Sequence, residues 1–206
     1  MNILVLISGN GTNLQYLIDN LMLNKNCNPI NNDINIIGVL SNKKNAYGLK
    51  RANDNNISTF YCPFMKKKQT REEYDNELSE LISSIDYDLI VCAGWMHVLS
   101  EKFLSVHPNT INLHPSLPNT YKGINCIRKM YDGFKNGHIR EGGIMVHWVV
   151  PEIDSGEVIY SHSFPMKKYE YCTYEQFEKD VHEIEKDGLL KSIYNIYYHN
   201  LIKNYN

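Results

Sequence analysis

The sequence predicts an α/β fold, a Rossmann-like open, mostly parallel sheet flanked by helices. Three observations carry that expectation. Short β-branched runs alternate with longer amphipathic stretches, a glycine-rich turn joins the first run to the first amphipathic stretch, and 206 residues at 43% hydrophobic content suffice for one well-buried core.

The runs Asn2 to Ile7, Ile34 to Leu40, Ser58 to Tyr61, Asp88 to Ala93 and Thr110 to His114 read as strands. Between them Thr12 to Leu23, Ala46 to Asn55 and Arg71 to Ile85 carry helical spacing. Thr70 and Glu73 are placed for a capping box at the start of the third helix. After His114 come a turn-rich segment from Pro115 to Gly123, a helix near Asn125 to Asn136, and strands near Gly143 to Val149 and Glu157 to Phe164. From Thr173 onward Tyr174, Phe177, Val181, Ile184 and Leu189 form one apolar stripe of a long helix. With no internal repeat and no low-complexity linker, the chain reads as a single domain over 1–206.

Charge and cysteine usage narrow the function. The formal net charge is -2 and the longest basic run is Lys66-Lys67-Lys68, which gives nothing to attract a nucleic acid. The five cysteines (Cys27, Cys62, Cys92, Cys126, Cys172) form no C-x-x-C pair, so free thiols in a reducing compartment are expected, and no metal site. No charged leader opens the chain and no apolar run approaches the ~20 residues of a membrane span. The expectation is a cytoplasmic protein that does not bind nucleic acid. The oligomeric state stays open, a homodimer included.

Two motifs carry chemistry. Ser8-Gly9-Asn10-Gly11-Thr12-Asn13 lies between the first strand and the first helix, where backbone N–H groups and the helix dipole favour a phosphate. A tight turn with an Asn/Thr cap accounts for the same residues. Leu14 stands where a dinucleotide fingerprint wants its third glycine, and the second strand ends in Ser41-Asn42 without an acid, which argues against NAD. In Asn112-Leu113-His114-Pro115, the Asn and His are two apart on a strand and share a face at the sheet rim where open α/β sheets bind ligands. Asp154, in the turn Glu152-Ile153-Asp154-Ser155-Gly156, can bring a carboxylate to the same rim. His107 reads as a loop residue, and His147 as core or as a support behind the site.

In this order the motifs resemble the glycinamide ribonucleotide transformylases, folate-dependent formyltransferases of purine biosynthesis. The likeness runs nearly the whole length: the glycine loop with Leu14-Gln15, Ser41-Asn42-Lys43, Ala46-Tyr47-Gly48-Leu49, Ala93-Gly94-Trp95-Met96, Asn112 to Leu117, Val146-His147, Glu152 to Gly156, and Val181 to Glu185. The resemblance implies the formyltransferase fold, with 1–100 mainly holding the ribonucleotide phosphate and 101–206 mainly catalysis and folate. It implies small-molecule substrates, with phosphate contacts from Gly11, Thr12 and Asn13 and ribose contacts from Glu185. The co-substrate 10-formyltetrahydrofolate would lie against Met96, His97, Val98 and Leu99 and against Val150, Pro151, Glu152 and Ile153, with Arg71 at its glutamate tail. Asn112 and protonated His114 would stabilise the developing oxyanion, with Asp154 paired to His114, and no metal is involved.

The chain departs from bacterial members, which carry arginine where His97 stands, a longer Leu-Leu-Pro after the His-Pro-Ser, Pro-Gly where Lys122-Gly123 stands, and histidine where Asn125 stands. Methionyl-tRNA formyltransferases and formyltetrahydrofolate hydrolases share the Asn-x-His-Pro and Asp elements. The phosphate loop, and the lack of an added C-terminal barrel or N-terminal regulatory domain, favour the ribonucleotide enzyme. A non-catalytic nucleotide-binding module, with His114 structural, is the alternative from another class.

Overall fold

The computed structural model describes residues 1–23, 33–65 and 67–202. Cys27 and Lys66 lie outside the described residues. Two compact units divide the chain, Met1–Ile111 and Asn112–Leu201.

In the first unit β1 (Asn2–Ile7) sits between β2 (Asn35–Ser41) and β4 (Leu89–Cys92), with β3 (Ser58–Tyr61) outside β2, and all three pairings are parallel. Ile3 to Ile7 are fully buried, as the continuous apolar run of a doubly covered parallel strand requires. The chain winds outward from β1 to β3 and returns to β1's other side with β4, so the turns after β1 and β4 flank a switch point, where such sheets bind ligands. The helices are α1 (Thr12–Ile18), α2 (Tyr47–Asp54), α3 (Arg71–Ile82) and α4 (Glu101–Val106).

β5 (Thr110–His114) spans the boundary of the units, and the seven-stranded sheet has the order β3-β2-β1-β4-β5-β6-β7. In the second unit α5 (Cys126–Lys135) precedes β6 (Glu141–Trp148) and β7 (Val158–Pro165), an antiparallel pair with a register shift between Val146 and His147. α6 (Tyr174–Tyr198) packs on β6, β7 and α5. The open, mostly parallel α/β sheet is therefore as the sequence predicts.

Two capping boxes start the longest helices. Thr70 Oγ1 accepts the Glu73 N–H at 3.2 Å while Glu73 accepts the Thr70 N–H at 2.7 Å, and Thr173 with Gln176 repeats the arrangement on α6. Some boundaries differ from expectation. The first helix is α-helical only to Ile18 and continues as a π-helical turn, Asp19–Leu23. There Asn20 Nδ2 donates to the Tyr16 carbonyl at 2.8 Å, a side-chain bond that competes with the regular ladder. The third helix stops at Ile82, three residues early, where Ser83 Oγ donates to the Glu80 carbonyl at 2.7 Å. β6 begins two residues before Gly143, and α4, only six residues long, lacks a sequence signal beyond its Ser100 cap. On α6 Phe177, Val181 and Leu189 are buried as expected, Tyr174 and Ile184 are half-buried, and Leu190, Ile193 and Ile196 extend the stripe.

Candidate active site

The site in the second unit grows from the carboxyl end of β5. Asn112 and His114 leave one face of the strand, and His114 is buried. His114 Nε2 lies 2.7 Å from the Tyr121 carbonyl, which can only accept, so Nε2 carries a proton. Nδ1 is thereby the nitrogen that faces Asp154, whose Oδ1 lies 3.4 Å away.

Asp154 occupies left-handed backbone at φ 50°, a conformation Asp tolerates better than most residues. Its Oδ2 accepts the Gly123 N–H at 2.8 Å. Burial pushes this carboxyl up, but a hydrogen bond from His147 when that ring carries its second proton, the Gly123 N–H and the charge of the two imidazoles together outweigh it and hold the group below the usual carboxylate value. Gly156, two residues on, has to be glycine, because a Cβ there would stand 1.7 Å from the Trp148 carbonyl oxygen.

His147 joins the site, a contact that the sequence had left as core or support. It is buried, and its Nδ1 donates to the Trp148 carbonyl at 2.9 Å. In the neutral ring Nε2 is then an acceptor, and it takes an N–H of Asn112 Nδ2 at 3.3 Å. The same Nε2 is 3.7 Å from Asp154 Oδ1. Among the described residues Asn112 Nδ2 makes this one hydrogen bond, which leaves its second N–H for another acceptor. The available signal was the Val146-His147 pair on a strand beside a turn that carries an acid.

The loop after β5 is tied onto the Asp154 turn. Besides the Tyr121 and Gly123 contacts, Lys122 Nζ reaches Glu152 Oε1 at 2.9 Å and Ser155 Oγ at 2.6 Å. The pair is exposed, so its own contribution to stability is small. Beside Asp154, Val150 and Ile153 are 36% and 46% exposed and Pro151 and Glu152 are exposed, so the turn presents accessible, partly apolar surface. Glu185 on α6 is 5% exposed, against the solvated glutamate that a surface helix usually carries. His182 Nδ1 lies 2.5 Å from Glu185 Oε2, and this carboxylate partner raises the His182 pKa.

The first unit carries the glycine loop. Gly11 caps α1 at φ 71° with no side-chain cap, the kind of helix start whose first-turn N–H groups favour an anion. A Cβ on Gly11 would stand 2.7 Å from the Gly48 Cα, so the loop lies directly on α2. Arg51 secures it, donating from Nε to the Asn10 carbonyl at 2.9 Å and from its terminal nitrogens to Asn10 Oδ1 at 3.1 Å and Gln15 Oε1 at 3.2 Å. Asn13 Oδ1 is buried without a partner among the described residues, as a ligand-facing amide would be. Ser8 joins this loop to the one after β4. Its N–H donates to the Gly94 carbonyl at 3.1 Å, and its Oγ accepts the Met96 N–H at 2.9 Å.

In the loop after β4, Met96 is 66% exposed and Leu99 is buried. Val98 is half-buried, and the His97 ring turns inward onto Asp75 at 2.7 Å. Arg71 is exposed in the first turn of α3. His107 lies in the connection after α4 but is buried, bonded to Ser79 and Tyr87, and burial pushes its pKa down to about 4. No group of three or more His, Cys, Asp or Glu among the described residues could hold a metal ion, and no helix among them is long and apolar enough to cross a membrane.

Comparison with known proteins fits this geometry. The family model described as formyl transferase matches residues 1–193. Phosphoribosylglycinamide formyltransferase of Schizosaccharomyces pombe is 37% identical over 95% of this chain and 96% of its own length, and that of Dictyostelium discoideum 40% over 93% and 96%. The crystal structure of the Campylobacter jejuni phosphoribosylglycinamide formyltransferase superposes with a TM-score of 0.81 at 32% identity, over 96% of this chain and 97% of that one. With the Asn-His-Asp group in place at the end of β5, the chain belongs to the formyl transferase family, among the phosphoribosylglycinamide formyltransferases.

Proposed function

We propose that this chain transfers the formyl group of 10-formyltetrahydrofolate directly to the primary amine of glycinamide ribonucleotide, a step of de novo purine biosynthesis. The observation that carries the proposal is the convergence of Asn112, His114 and Asp154, with donors whose hydrogens have defined directions. Attack of the amine on the formyl carbon forms a C–N bond and places negative charge on the formyl oxygen. Collapse of the intermediate breaks the bond to the folate nitrogen, and one proton passes overall from the amine to that nitrogen. The second Asn112 N–H and a proton on His114 Nδ1 supply the oxyanion donors, each worth roughly 3 to 4 kcal/mol in such a site. Asp154 lies against Nδ1 and balances the charge of the protonated ring.

Holding amine and formyl carbon together contributes up to ~7 to 11 kcal/mol, which gives the separate subsites their purpose. In this reading Gly11, Thr12 and Asn13 take the ribonucleotide phosphate and Glu185 its ribose hydroxyls. The folate donor lies on Met96 to Leu99 and Val150 to Ile153 with Arg71 at its glutamate tail. The halves 1–100 and 101–206 divide the work in the same way. The residues fit the donor chemically, since Met96, Val150 and Ile153 offer exposed apolar surface and the His97 ring leaves the loop backbone to meet a pterin. The buried thiols Cys62, Cys92 and Cys126 suit a reducing, cytoplasmic setting.

The test is an assay with glycinamide ribonucleotide and 10-formyltetrahydrofolate, following loss of the formyl-folate together with formation of the formylated nucleotide. Turnover is expected in the wild type, with a loss of about two to three orders of magnitude in Asn112→Ala. Tight nucleotide binding without turnover by the wild type would refute the proposal and identify a binding module.

A further inference from the structure

We propose that Asp75, acting through both His97 and the Ser100 N–H, is a positioning residue that sets the conformation of the folate loop Met96 to Leu99. The inference rests on the reading that this loop meets the folate. Asp75 lies on α3 and is 2% exposed, and both of its oxygens are engaged. Oδ1 pairs with His97 Nε2 at 2.7 Å and Oδ2 accepts the Ser100 N–H at 2.6 Å. One carboxyl group therefore holds the two residues that bracket Val98 and Leu99. At the loop's other end the buried Ser8 holds the Met96 N–H, and Met96 is left as the accessible tip.

The His97 ring has no freedom to reach a ligand in this arrangement. Its side chain is 4% exposed, and it packs edge-on against Phe64 and Tyr74 with ring centroids 4.8 and 4.7 Å away. Swinging it outward would break this packing and strand the Asp75 carboxyl, a costly group to bury without partners. The side chain thus contributes by fixing where the loop's own N–H and C=O groups stand. Packing α3 against the loop would need only an apolar side chain at position 75. A carboxyl with two directional partners sets a geometry that apolar packing does not.

The experiment compares Asp75→Ala, Asp75→Asn, His97→Ala and Met96→Asp in the full chain. Readouts are kcat, KM for each substrate, and hydrogen exchange at the Ser100 amide. Asp75→Ala should raise the KM for 10-formyltetrahydrofolate about tenfold, the loss expected from hydrogen bonds to a charged group, while kcat and the ribonucleotide KM stay within about twofold. Asp75→Asn keeps an acceptor for the Ser100 N–H and should restore most of the folate affinity and the amide protection. His97→Ala, which leaves the Ser100 bond intact, should raise the folate KM only about threefold.

Equal rises in both KM values for Asp75→Ala would overturn the proposal and make Asp75 a residue of the fold alone. So would an unchanged folate KM in Asp75→Ala where Met96→Asp raises it. If Asp75→Ala does not fold, His97→Ala decides on the same comparison with Met96→Asp. An unchanged folate KM in Met96→Asp removes the loop from the folate site, and the inference falls together with the reading beneath it.

Discussion

Replacing Asp154 by Asn should lower kcat by about 10² to 10³ while leaving both KM values within a few-fold. The substitution is nearly isosteric, and the Asn carbonyl can still accept the Gly123 N–H that Asp154 Oδ2 takes at 2.8 Å. The tie between the loop and the turn survives, and only the charge is removed. That charge lies 3.4 Å from His114 Nδ1 and 3.7 Å from His147 Nε2, with Asp154 and His114 side chains 10% and 4% exposed. Two unit charges 4 Å apart interact by about 4 kcal/mol at an effective dielectric near 20, and dehydration of the pair offsets part of this. A loss of roughly 3 to 4 kcal/mol in transition-state stabilisation corresponds to two to three decades at about 1.36 kcal/mol each. Single-turnover kinetics isolate the chemical step, and Asp154→Ala, which also frees Gly123, should raise KM as well. A kcat within threefold of wild type in Asp154→Asn would refute the pairing with His114 and leave Asp154 as a residue of the turn.

Further outcomes follow from the same geometry. The Asp154 carboxyl is held below its ordinary value, so its contribution to stability is complete above about pH 4 and is lost as the pH falls through the lowered native value. The Tm gap between wild type and Asp154→Asn should therefore close in acid. Thr12→Asp sets a negative charge at the mouth of the glycine loop and should weaken ribonucleotide binding severely, and unchanged calorimetric affinity would take the loop out of the site. His182 has a raised pKa from Glu185, so its stabilising effect is complete below about pH 6.5 and fades as the pH rises through the native value. The Tm deficit of His182→Gln should be larger at pH 5.5 than at pH 9.5, and an equal deficit at both would refute the pairing. His107, at about 4, is buried neutral, so acidification from pH 7 to 4.5 should cost the wild type about 2 kcal/mol that His107→Gln, measured by urea unfolding, does not lose.

The strands were legible because their signal is local. Ile3 to Ile7 alternate with nothing, and a short run buried on both faces needs nothing else to announce it. Thr70 and Glu73 declared the start of α3 for the same reason, since the capping box uses residues three apart. Helix ends were less legible, because the side-chain bonds of Asn20 and Ser83 decide them and depend on rotamers that the sequence does not print. Asn112 and His114 could be paired from their spacing on one strand. Asp154 could be brought to the same rim from its turn between two strands, whereas the contact of His147 rests on the antiparallel pairing of β6 with β7 and the register shift at His147, which are long-range facts. The inward turn of this loop residue, His97, is of that kind too, since its partner Asp75 is 22 residues away on α3.

The two histidines of the site show how backbone atoms decide what side chains can do. Tyr121's carbonyl takes the Nε2 proton of His114, and Trp148's carbonyl takes the Nδ1 proton of His147. The rings are therefore held by opposite nitrogens and present opposite nitrogens to the site. His114 turns Nδ1 toward the carboxylate, where a second proton makes it a cationic donor. His147 turns a lone pair toward Asn112, and an acceptor there aligns the amide so that its nitrogen, rather than its oxygen, lies on that side. Had the Trp148 carbonyl been out of reach, His147 could have carried its proton on Nε2 and rotated the Asn112 amide by half a turn, presenting an oxygen to the developing oxyanion. The polarity of the Asn112 donor thus depends on a carbonyl beside a glycine, Gly156, whose missing Cβ lets the chain approach Trp148 closely.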